Sequence, residues 1–251
     1  MSKILKISIA VFAAFILISG TVFYTVKESS KINSANANNA SGSYPALAKS
    51  KAGDIVNFGT YEQDNNANNG KEKIAWRVLA AGKGKILLLS VKILDSKAYD
   101  TADEATVTWE KSTLRNWLNN GFLNEAFAAK EKKAVITSDI DNSRYDSPLG
   151  YYSPEGSNTK DKVFLLSLEQ TEKYFKTNTA RKAQGTKYAK SKGLDIAPVK
   201  DKNTASSYWW LRSPGYFPGC AFSVDFYGVV NDYAISGVHV GVRPAVWVNV
   251  G

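Results

Sequence analysis

Tyr208-Trp209-Trp210-Leu211-Arg212-Ser213-Pro214-Gly215 and Gly241-Val242-Arg243-Pro244-Ala245-Val246-Trp247 bracket the C-terminal part of this chain. Each block is a short aromatic or β-branched run interrupted by one arginine and punctuated by proline. That is the composition of a strand that ends in a turn. Between them, Ala221 to Val230 alternates apolar and polar side chains, the period of a half-buried strand. The segment predicts strands at 209–212, 221–226, 229–230, 238–242 and 245–250. Trp209 and Trp210 are adjacent, so on a strand they point to opposite faces. One is expected in the core, and Trp210 is assigned to the surface.

Upstream, the pattern mixes periods. A strand is expected over 54–58, followed by the polar turn Tyr61-Glu62-Gln63-Asp64-Asn65-Asn66-Ala67-Asn68-Asn69-Gly70 and a second strand over 74–79, together a hairpin. Ile86 to Val91 is a continuous apolar run, as in a strand covered on both faces. Ser112 is placed to cap a helix whose Leu114, Trp117 and Leu118 share one face, with Asn119-Asn120-Gly121 as its stop. A second helix is expected over 124–133 with Phe127 inward. Ser167-Leu168-Glu169-Gln170 is a capping box that opens a third, burying Leu168, Thr171, Tyr174 and Phe175. The fold class is therefore α+β, with antiparallel strands and a few helices.

The other end addresses the compartment. Lys3 and Lys6 precede an uncharged run from Ile7 to Val26, roughly 20 residues and long enough to span a bilayer as a helix. Residues 1–26 are expected to be a signal anchor or a signal peptide, 27–50 a flexible linker rich in Ser, Asn, Ala and Lys, and 51–251 one globular domain. The chain is then expected at the cell membrane facing outside, or secreted. Cys220 is the single cysteine, so no disulfide within the chain supports the fold. A lone His239 excludes sites built on several histidines. The formal charge is +9, and 160–202 holds 11 basic against 5 acidic residues. That surplus suits an anionic polymer or simply a solvated face; no motif supports nucleic acid.

Gly53-Asp54-Ile55-Val56-Asn57-Phe58-Gly59, Trp76-Arg77-Val78-Leu79, Leu114-Arg115-Asn116-Trp117-Leu118-Asn119, Trp210-Leu211-Arg212-Ser213-Pro214 and Gly241-Val242-Arg243-Pro244-Ala245 occur in that order. With these, residues 53–251 resemble a bacterial family of uncharacterised extracytoplasmic and phage-associated domains. More remotely, the ending is similar to C-type-lectin-like folds, in which an Arg-containing strand, a variable loop region and a Gly-Phe-Arg strand follow one another. That resemblance implies a C-type-lectin-like mixed fold whose ligand surface lies between Arg212 and Arg243. The formylglycine-generating branch uses two active-site cysteines, so its activity is not implied here.

The candidate ligand-binding residues are Trp210, Arg212, Tyr216, Tyr227, Asn231, Asp232 and Tyr233. Tyrosines bring contact area at low entropic cost, and the arginines suit an anion or carboxylate. Each also has a plainer reading: Arg212 and Arg243 as structural carbonyl clamps, the aromatics as packing under loops. The expected function is a membrane-anchored, non-catalytic recognition module for a cell-surface glycan, wall polymer or protein. A cell-envelope enzyme using Cys220 and His239, or a structural scaffold, are the alternatives. No cofactor is expected. Calcium is considered at Asp139-x-Asp141-Asn142-x-x-x-Asp146 and at Val230-Asn231-Asp232, both incomplete beside known calcium motifs.

Overall fold

Alternation decides the first sheet. In a computed structural model that describes residues 42–102, 107–199 and 205–251, Ile74, Trp76 and Val78 are buried while Lys73 and Arg77 face out. In chain order the strands are β1 (Ile55–Tyr61), β2 (Glu72–Gly82), β3 (Lys85–Ser90), β4 (Asp95–Ser96), β5 (Ser138–Ile140), β6 (Tyr145–Asp146), β7 (Tyr152–Ser153), β8 (Thr159–Asp161), β9 (Val163–Phe164), β10 (Trp209–Pro214), β11 (Cys220–Val224), β12 (Val230–Ala234), β13 (Gly241–Val242) and β14 (Ala245–Asn249). β1, β2, β3, β14 and β9 form one sheet in that order, antiparallel at every pairing. Ile86 to Leu89 are all buried, as the unbroken apolar run predicts for a strand covered on both faces.

The second sheet has the order β12-β11-β10-β13-β4. It is antiparallel except where β13 runs parallel to β10, at Trp209 opposite Gly241. β13 and β14 are separated only by Arg243-Pro244, so the chain changes sheets there. Ser90 N–H donates to the Pro244 carbonyl at 3.0 Å and Leu94 N–H to the Val242 carbonyl at 3.0 Å. The β3–β4 segment thus holds both sides of the crossing. β5 with β8 and β6 with β7 form two small antiparallel pairs.

Helices are short. Ser112 caps the first, Thr113–Trp117, accepting from Arg115 N–H at 3.2 Å. The expected stop at Asn119-Asn120-Gly121 does not occur. The chain continues through a π turn, Leu118–Phe122, into Leu123–Ala126. Two contacts explain this. The Asn119 amide is spent on Val163 O (2.9 Å) and Lys162 N–H (2.8 Å). Gly121 lies under Trp117, where an added Cβ would come within 2.8 Å of the ring. The expected second helix is divided at Phe127, which is extended and buried, before Ala129–Ala134. The capping box forms as expected: Ser167 Oγ accepts from Gln170 N–H (3.0 Å) and Gln170 Oε1 from Ser167 N–H (3.2 Å).

Residues 44–47, assigned to the linker, dock on this body. Tyr44 N–H donates to Asn249 O at 2.9 Å, its ring meets Phe58 at 5.0 Å, and Leu47 is buried. The expectation of membrane anchoring is corrected here: among the described residues no helix is long and apolar enough to cross a membrane. The segment 1–26, on which that expectation rested, lies outside the described residues.

Candidate functional site

β10 is the middle strand of the second sheet, and both of its faces are covered. Trp209 and Trp210 are each fully buried, so the surface assignment of Trp210 is wrong. Trp209 Nε1–H donates to Arg181 O at 3.1 Å. Trp210 Nε1–H donates to Lys97 O at 2.8 Å, and its ring meets Tyr99 at 5.6 Å and Tyr233 at 5.8 Å. Each indole finds an acceptor, as buried tryptophans require. Trp210 offers no face to a ligand.

Arg212 is also buried. Its guanidinium donates to Asn142 Oδ1 (3.0 Å), Leu165 O (2.9 Å), Gln170 Oε1 (2.5 Å) and Asp141 O (2.9 Å). It therefore ties the loop at 141–142 to the segment that opens the Ser167-capped helix. Burial pushes its pKa down to about 10, against the opposing pull of Tyr99, Asp141, Asp161 and Glu169. The plainer reading holds: Arg212 is a structural clamp.

The remaining sequence-predicted residues spread along the β11–β12 hairpin: Tyr227 in its turn, Asn231 opposite Ser223, Asp232 opposite Phe222, Tyr233 opposite Ala221, and Tyr216 beyond the end away from the turn. At the turn, Tyr227 stands 60% exposed and packs on Phe226 at 4.5 Å. Phe226 meets Tyr208 at 5.2 Å, and Tyr208 meets Tyr233 at 5.5 Å. Asn231 Nδ2 donates to Asp225 Oδ2 at 3.1 Å, and Asp225 also accepts from Tyr227 and Val229 N–H at 2.8 Å each. This end is a braced turn in which Asn231 supports rather than projects.

The other end is a cleft of about 330 Å³. Tyr152, Pro154, Tyr216, Phe217 and Pro218 line it, with Glu155 and Thr108 at its polar side. Tyr216 is 50% and Phe217 61% exposed. The rings stand nearly perpendicular: Tyr152 to Tyr216 at 4.7 Å and Tyr216 to Phe217 at 5.0 Å. Asp232 holds them out. Its carboxylate accepts from Tyr216 N–H at 3.0 Å and Phe217 N–H at 3.1 Å. Gly215 permits that approach, since a Cβ there would lie 2.7 Å from Asp232 Oδ1. Asp232 is thus a positioning residue. Sequence reasoning missed Tyr152 and Pro154, whose only signal was the aromatic-proline run Tyr151-Tyr152-Ser153-Pro154.

The acidic residues considered for calcium each have other partners. Asp139 pairs with Lys160, Asp141 accepts from Ser143, and Asp146 pairs with Arg144. Among the described residues, the acidic side chains within cation-sharing distance are Glu62, Asp64 and Glu72 at the β1–β2 hairpin, another set. Glu72 Oε2 already accepts from Gln63 N–H at 2.6 Å. Cys220 and His239 share no hydrogen bond among the described residues. His239 Nδ1 lies 2.8 Å from Gly193 O, and burial, with Asp232 nearby, pushes the Cys220 thiol pKa up, away from the thiolate a nucleophile needs.

No curated protein and no solved structure matches the chain. Residues 83–250 match the family described as a domain of unknown function, DUF6273. That match takes in both sheets from β3 onward, the cleft, and both arginine signatures, and the chain belongs to this family.

Proposed function

We propose that the domain is a non-catalytic recognition module that takes a sugar ring of a glycan in the cleft at Tyr152, Tyr216 and Phe217. The observation that carries this reading is the pair of half-exposed rings fixed by the Asp232 carboxylate. Exposed aromatic side chains cost little entropy when they bind if the backbone beneath them is already held. Perpendicular rings offer both a face and an edge to the C–H side of a sugar, while Glu155 and Thr108 supply hydrogen-bonding groups at the margin. The turn between β10 and β11 carries Tyr216 and Phe217 into the cleft.

The test is glycan-array screening followed by calorimetry with the full chain. Tyr216→Ala is expected to weaken binding roughly tenfold or more, the usual cost of truncating an aromatic anchor. Tyr227→Ala, at the far end of the hairpin, leaves it unchanged. Equal affinities for the parent and Tyr216→Ala remove the cleft from consideration.

A further inference from the structure

Arg243, at the crossing between the two sheets, is 4% exposed. Its Nε–H donates to Ser90 O at 2.9 Å, and its guanidinium carbon lies 4.8 Å from the Trp209 ring and 5.5 Å from the Phe175 ring. Those contacts fix the plane of the group. Its Nη1, however, is buried without any hydrogen-bond partner. An unsatisfied charged donor in the interior is costly and rare in native structures.

The same side chain lines a cavity of about 430 Å³. Arg77, Lys92 and Lys182 line it too, and no acidic side chain does so among the described residues. None of these cations makes an ion pair among the described residues. Burial pushes the pKa of Arg243 down to about 9, and the one neighbouring charge that acts on it, Arg77, pushes in the same direction. Thr179 and Ser206 add hydroxyls to the wall. Four cationic side chains thus line a space to which, among the described residues, no acidic side chain contributes, and one of the four has an unpartnered donor.

We propose that this cavity binds a phosphate group, with Arg243 Nη1 as its buried donor and Arg77, Lys92 and Lys182 as charge partners at the mouth. A multiply charged oxyanion matches four cations better than a single carboxylate does, and a guanidinium presents a fork suited to phosphate oxygens. The site is separate from the aromatic cleft and does not depend on the glycan reading.

The experiment titrates the full chain with inorganic phosphate, and separately with glycerol 1-phosphate and a glycerophosphodiester, by calorimetry at constant ionic strength. Saturable phosphate binding is expected. Lys92→Gln/Lys182→Gln, both exposed positions compatible with folding, is expected to weaken it roughly tenfold or more. Arg243→Met, where folded, is expected to abolish it. Preference among the three ligands tells whether the natural source is free phosphate, a monoester or a phosphodiester polymer. No saturable binding of any of them, or affinity unchanged in Lys92→Gln/Lys182→Gln, overturns the proposal.

Discussion

The two signature arginines have the same chemistry and opposite situations. Arg212 lies within the central strand β10 and spends its guanidinium on four acceptors, with Asp141, Asp161 and Glu169 near enough to favour its charge. Arg243 directly follows β13, the strand beside β10 in the same sheet. It has one acceptor, two aromatic rings, an idle Nη1 and only a like charge for a neighbour. A buried cation that is fully bonded fastens a structure together. A buried cation left partly unbonded costs stability unless something arrives from outside. The difference between the two assigns Arg212 to the fold and Arg243 to a ligand.

The largest test of that division is Arg212→Met. The change keeps the apolar stem but strands the Leu165 and Asp141 carbonyls and the Asn142 and Gln170 amides. Urea unfolding is expected to show a loss of about 3 kcal/mol or more. The companion change, Arg243→Met, removes one hydrogen bond and two cation–π contacts but also an uncompensated charge. Its stability is expected to stay within about 1 kcal/mol of the parent. Similar losses for the two variants would break the comparison, because Arg243 would then be as fully committed to the fold as Arg212.

Local signals in the chain anticipated local structure well. The caps at Ser112 and Ser167, the hairpin of β1 and β2, and the doubly covered β3 depend on neighbours a few residues apart, and all are present. Failures came where distant elements decide. Strand alternation, which assumes one wet face, puts Trp210 at the surface; Tyr99 and Tyr233 cover that face from elsewhere in the chain. Asn119-Asn120-Gly121 has the composition of a helix stop, but Asn119 is engaged by β9 and the preceding residue, and Gly121 by Trp117. The sequence grouped Tyr216 with Tyr227 because they are close in the chain, while the hairpin sends them to opposite ends. Nor does any local pattern tell which arginine finds four acceptors and which finds one.

The smallest expected effect concerns the loop that Arg212 clamps. Asp141 offers its carbonyl to Arg212, and its carboxylate accepts from both Ser143 Oγ and Ser143 N–H. Those Ser143 bonds, with Arg212 contributing less, hold the Asp141 carboxyl below the usual aspartate range despite some opposing desolvation. A depressed folded pKa means that the unfolded chain binds the proton first as pH falls. The stabilisation from this carboxylate is therefore complete above the ordinary aspartate pKa and is lost as pH drops through the folded value. The side chain is largely exposed, so global stability will change little. The protection factor of the Ser143 amide, its exchange rate set against the intrinsic rate at the same pH, should nevertheless fall on acidification, because its N–H loses an ionised acceptor. In Asp141→Asn the backbone clamp to Arg212 remains but the titrating group is gone, so that acid dependence should vanish. An acid-induced loss of protection of equal size in Asp141→Asn would show that the loop is governed by some other titrating group.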